Sequence, residues 1–148
     1  MRVALFLHLV GALVWIGGMF FAYFTLRPST MVLEPPQRLV LWSEILGRFF
    51  RWVWGSVALI LGSGFYMLAA IAGVAKVPFN VHIMLYLGLF MVFIFLYVVV
   101  VPFSALKRAI ATEDWSTGSA ALSSIRTAVA VNLVLGLIIM GVATVGRM

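Results

Sequence analysis

VPFNVHIMLYLGLFMVFIFLYVVVVPFSAL, residues 77–106, runs for thirty residues without one charged side chain. A helix needs about 20 apolar residues to cross the hydrocarbon core of a bilayer. In lipid the backbone must satisfy its own hydrogen bonds, which a helix does within one segment. This stretch therefore predicts a membrane-spanning helix, and three more runs reach the same length, at 3–26, 49–75 and 120–146. The expected fold class is all-α, an integral membrane four-helix bundle occupying 1–148 as a single domain. Composition agrees: 65% of residues are hydrophobic and 9% charged, against about half and a quarter in soluble domains.

The first run starts like a signal peptide, with Arg2 ahead of Val3-Ala4-Leu5-Phe6-Leu7. It is longer than a signal core and lacks a small-x-small cleavage site, so it is expected to be retained as a span. The chain has no cysteine, which excludes disulfides, iron–sulfur clusters and thiolate ligation. Its net charge of +6 is not a nucleic-acid footprint, because the basic residues lie at span ends. Arg27, Arg38, Arg48, Arg51, Lys107, Arg108 and Arg126 fall on one side, and Arg2, Lys76 and Arg147 on the other. The positive-inside rule then sets the links after spans 1 and 3 in the cytoplasm and both termini on the periplasmic side of a bacterial inner membrane.

The links carry further signals. Pro35-Pro36 can open a helix. Beyond it Leu39, Trp42, Leu46 and Phe49 recur at steps of three and four, with Arg38, Glu44 and Arg48 among the intervening positions. That pattern predicts an interfacial amphipathic helix over 36–48 leading into span 2. Lys76-Val77-Pro78 is too short for anything but a tight turn, which makes spans 2 and 3 antiparallel neighbours. Residues 107–119 read as a helical extension followed by a turn.

The two histidines carry the functional signal. An ionisable side chain inside a membrane span is costly and marks a functional site by default. His8 and His82 each lie about five residues into a span, and spans 1 and 3 run in the same direction. At 1.5 Å per residue each sits roughly 7 Å below the same boundary. Depth-matched imidazoles are the arrangement of two axial haem ligands, which would require Cα atoms on the order of 12 Å apart. Steps of three and four from His8 reach Gly11, Trp15, Gly18 and Ala22, and the small residues among them would let a flat macrocycle approach the backbone. Ordinary helix packing uses the same small residues. From His82 the steps reach Tyr86, Leu89, Phe93 and Tyr97, an aromatic and apolar wall. Arg2, Lys76 and Arg147 near the mouth could neutralise haem propionates or simply anchor the spans. Asn132, near mid-membrane, needs a hydrogen-bond partner, and an interhelical bond is its expected role.

Copper is the alternative cofactor. Imidazole and thioether ligands suit Cu(I), and the chain has eight methionines. His82-Ile83-Met84 does not make a site, because positions i and i+2 of a helix point roughly 200° apart. Met19 lies about three turns deeper than His8, too far to share a metal with it. A copper route would have only Met19, Met67, Met91 and Met140 below the histidines.

The stretch His8-Leu9-Val10-Gly11-Ala12-Leu13-Val14-Trp15-Ile16-Gly17-Gly18-Met19-Phe20-Phe21 resembles the copper resistance protein D (CopD) family. Leu33-Glu34-Pro35-Pro36-Gln37-Arg38, Arg48-Phe49-Phe50, Glu113-Asp114-Trp115, Ser124-Ile125-Arg126 and Asn132-Leu133-Val134-Leu135-Gly136 extend the resemblance over nearly the whole chain, closest to its short four-span members. His8, Trp15 and Gly18 are also similar, more distantly, to the HemJ-like haem-binding membrane proteins. The resemblance implies a four-helix bundle of the inner membrane with a site involving His8, and leaves haem or copper open.

Three functions follow as expectations. The first is a bis-histidine haem b protein near the periplasmic face, with His8 and His82 as metal ligands, Gly11, Trp15, Gly18 and Tyr86 around the haem, and a role in electron transfer. A membrane oxidoreductase exchanging electrons with quinone or a periplasmic redox partner would be one form of it. The second is a copper uptake or copper resistance protein, and the third a non-catalytic accessory subunit. The lipid bilayer is the expected environment, nucleic acid is not an expected partner, and the glycine faces are compatible with a homodimer.

Overall fold

The computed structural model describes residues 1–71 and 77–146. Four helical rods, each long and apolar enough to cross a membrane, make up the bundle, and no strand occurs among the described residues. The first rod, α1, spans Arg2–Val32. It is α-helical over Arg2–Phe21, relaxes into one π-turn at Ala22–Leu26, and ends in a 3-10 turn at Thr30–Val32. It thus runs a full turn beyond the span expected at 3–26. Pro28 does not stop it, because the proline falls in the first turn of the short α-helical segment Arg27–Ser29 that follows the π-turn, a position proline tolerates.

The second rod, α2, spans Pro35–Ala70 without interruption. The amphipathic segment expected at 36–48 is its first third, so the interfacial helix and span 2 are one element. The reason is a single buried stripe. Leu39, Trp42, Leu46, Phe50, Val53 and Val57 are all buried, at successive steps of three and four, so nothing calls for a change of direction between amphipathic and apolar parts. At 36 residues the helix is roughly 54 Å long, more than the hydrocarbon core requires.

The third rod bends. α3, Phe79–Val100, and α4, Pro102–Ala111, meet at Val101, where Pro102 has no N–H to continue the ladder. α4 turns its apolar face inward, burying Phe103 and Leu106. Glu113 then takes a left-handed backbone (φ 55°), and Asp114 caps the last rod, α5, Trp115–Val145, by accepting from the Thr117 backbone N–H.

The rods pack as two close pairs, α1 on α2 and α3 with α4 on α5. Glycine sets how closely the first pair approaches. A Cβ on Gly11 would lie 2.9 Å from Ile60 Cγ1 and 3.0 Å from the Ser56 carbonyl oxygen, and one on Gly18 would overlap the Phe49 ring. The pairs meet through aromatic edges: Phe95 of α3 receives Trp15 of α1 at 6.1 Å between ring centroids, and Phe50 and Trp54 of α2 at 5.6 and 5.1 Å. Spans 2 and 3, expected to pack as neighbours, instead meet through these rings, and each packs along its length against another rod. Lys76 and Arg147, and most of the link between spans 2 and 3, lie outside the described residues.

Candidate functional site

His8 faces α2. Its Nδ1 lies 3.1 Å from the Ile60 carbonyl oxygen and 3.1 Å from Ser63 Oγ. The protonation state follows from these partners. A carbonyl oxygen only accepts, and the Ser63 hydroxyl donates to the Leu59 carbonyl. Nδ1 therefore carries a proton and donates, and in the neutral ring Nε2 would keep its lone pair. Nε2 has no hydrogen-bond partner among the described residues. The ring rests on Gly64, where a Cβ would come within 3.5 Å of Cε1. Second-shell bonds of this kind fix the tautomer and orientation of metal-ligating histidines.

His82 is held differently. Its Nδ1 donates to the Pro78 carbonyl of its own first turn, at 3.3 Å, and its Nε2 is likewise without a partner among the described residues. The two histidines share no hydrogen-bond partner. Tyr86, Phe93 and Tyr97, on the same face as His82, point out of the bundle, with exposures of 68, 68 and 53%. The aromatic wall expected around a haem therefore lies on the outside of the bundle. Gly11 and Gly18 are filled by α2, which leaves no gap for a macrocycle at either residue. Of the residues expected around a haem, His8 and Trp15 turn their side chains towards the bundle interior, whereas Tyr86 does not.

A second level lies roughly 16 Å further along α1, eleven residues on. Trp15, Met19, Phe50, Phe95 and Asn132 are among the residues enclosing a cavity of about 20 Å³, room for one water-sized occupant. Asn132 is 4% exposed. Its Nδ2 donates across to the Met91 carbonyl at 3.2 Å, which is the interhelical bond the sequence called for. Its Oδ1 is buried with no partner. Met19 is 2% exposed and Met91 3%, whereas Met140 is turned outward at 50%. An unpaired buried amide oxygen and a thioether therefore belong to residues lining one cavity.

Sequence reading missed Ser63, which orients His8. The available signal was Gly62-Ser63-Gly64, a polar side chain between two small ones in an apolar span.

One comparison with known proteins bears on the chain. A family model described as copper resistance protein D matches residues 43–145. The chain belongs to the CopD family. The match takes in most of α2 and nearly all of the remaining rods, including His82 and Asn132, and leaves out the segment with His8 and Met19. No curated protein and no solved structure matches. The HemJ-like resemblance has no counterpart in these comparisons. As a CopD-family protein with four membrane-spanning rods, the molecule is a multi-pass protein of the inner membrane.

Proposed function

We propose that this CopD-family protein handles copper at the inner membrane, admitting Cu(I) from the periplasmic side into the bundle. Family membership is the observation that carries this reading. It favours copper over the haem b expected first from the paired histidines. In this proposal both termini face the periplasm, following the uneven distribution of basic residues. Cu(I) is the cargo. Nε2 of His8 is its first ligand, with the proton parked on Nδ1 by the Ile60 carbonyl and Ser63. His82, with a free Nε2 near the same end, is an accessory imidazole. Met19 and Asn132 Oδ1 form the next stop, deeper in the membrane. Thioether and imidazole suit Cu(I), and the amide oxygen is a harder donor that adds only a weak polar contact.

The test is copper accumulation by cells expressing wild-type protein, His8→Ala or Met19→Leu, at equal membrane levels of each protein. The reading expects copper content above that of the empty-vector strain, returned to baseline by His8→Ala. Equal copper in all four strains would overturn it.

A further inference from the structure

We propose that the arginine end of the bundle is a binding site for the phosphate of an anionic phospholipid, held between Arg27 of α1 and Arg126 of α5. Both arginines line one pocket of about 40 Å³, whose other walls include Tyr23, Trp42, Phe49 and Ile125. Arg27 lies over the Tyr23 ring, 5.1 Å from its centroid. Arg126 is eleven residues into α5, roughly 16 Å from the start of the helix, and both side chains are half-buried. Two like charges held this close repel, and Arg38 adds to the repulsion on Arg126.

The chain does not neutralise them. It has four carboxylate side chains. Glu44 faces Arg48, Asp114 is engaged by Thr117, and neither Glu34 nor Glu113 lines the pocket. Arg38 is committed to the turn before α2, donating to the Thr30 and Leu33 carbonyls. Arg27 and Arg126 donate no side-chain hydrogen bond to any described residue. Guanidiniums half-buried in an apolar-walled pocket without an anionic partner are costly, and their planar forks match phosphate oxygens. The remaining walls are aromatic and aliphatic, as an acyl chain requires. A free phosphate would satisfy the arginines but leave those walls bare, so the lipid is the occupant. The pocket's chemistry does not depend on whether copper passes through the bundle.

The experiment is native mass spectrometry of the full chain in detergent, titrated with phosphatidylglycerol, phosphatidylcholine or inorganic phosphate. The variants are Arg27→Gln, Arg126→Gln and Arg126→Lys, with Arg51→Gln as a charge-matched control outside the pocket. The site predicts selective retention of phosphatidylglycerol by wild type and by Arg51→Gln. Each pocket glutamine variant weakens retention about tenfold or more, the loss expected for one charge-assisted hydrogen bond. Arg126→Lys, which keeps the charge and so supports folding, restores part of the selectivity. Equal retention of both lipids, an equal loss in Arg51→Gln, or inorganic phosphate displacing the lipid as well as free phosphatidylglycerol does would each overturn the proposal.

Discussion

The two ends of this bundle answer the same problem, a polar group in lipid, in opposite ways. At the histidine end Nδ1 of His8 is committed to α2, and Nε2 has no hydrogen-bond partner among the described residues. At the arginine end two permanent cations share one pocket and none of the chain's carboxylates joins them there. The first arrangement is the one proposed to take a soft cation. The second repels any cation and requires an anion. Charge type, more than depth, therefore separates what each end can bind; the cavity with Met19 and Asn132 lies between the two ends and shares Phe49 and Val129 as walls with the arginine pocket.

The largest effect expected on this contrast comes from Gly11→Leu. The added side chain meets Ile60 and the Ser56 backbone, and overpacking of this kind costs about 1–3 kcal/mol. It pushes α1 off α2 beside His8, so both thermal stability and copper accumulation should fall while phosphatidylglycerol retention persists. Equal loss at both ends would show that they are not separable. Next in size is Ser63→Ala. It leaves the Ile60 carbonyl to hold Nδ1 but removes the second acceptor. Loss of such an outer-shell bond typically weakens metal binding by about 10–100-fold, and the lower end applies because one acceptor remains. An unchanged Cu(I) affinity by competition titration would remove Ser63 from the account.

Asn132→Leu separates storage from structure. It removes the unpaired oxygen together with one interhelical hydrogen bond, worth about 1 kcal/mol. Copper accumulation should fall by more than the melting temperature suggests, and a proportional fall in both would make Asn132 purely structural. The smallest effect belongs to Asp114. Hydrogen bonds from the Thr117 hydroxyl and backbone N–H hold its carboxyl below the usual range. Its contribution is present above the unfolded carboxylate pKa, about 3.9, and is lost as pH falls through the lower folded value. Asp114→Ala should therefore lower the melting temperature slightly at neutral pH and match wild type in strong acid.

Much of the fold was legible because lipid leaves hydropathy little freedom: four apolar runs became four rods. What hydropathy does not encode is direction. Pro102 bends the third rod within an unbroken apolar run, and α2 continues through 36–48 because its buried stripe never changes face. The histidines show the same limit. Their depth follows from counting residues, but the direction each ring faces depends on which neighbour packs where. His8 meets α2 because Gly11 and Gly18 bring that helix close, whereas the His82 face, with Tyr86 and Phe93, is left on the outside of the bundle. The arginine pocket was hidden for a related reason. Arg27 and Arg126 each read as a boundary charge, and only the fold places them on one cavity.

The central claim is that a cuprous ion binds in this bundle through His8. The most direct measurement is a Cu(I) competition titration of the detergent-purified full chain, read beside its visible spectrum, for wild type and His8→Ala. The account predicts a colourless protein that binds Cu(I) and loses its tightest site in His8→Ala. A wild-type protein that binds no Cu(I), or one that carries a haem spectrum abolished in both His8→Ala and His82→Ala, would contradict it.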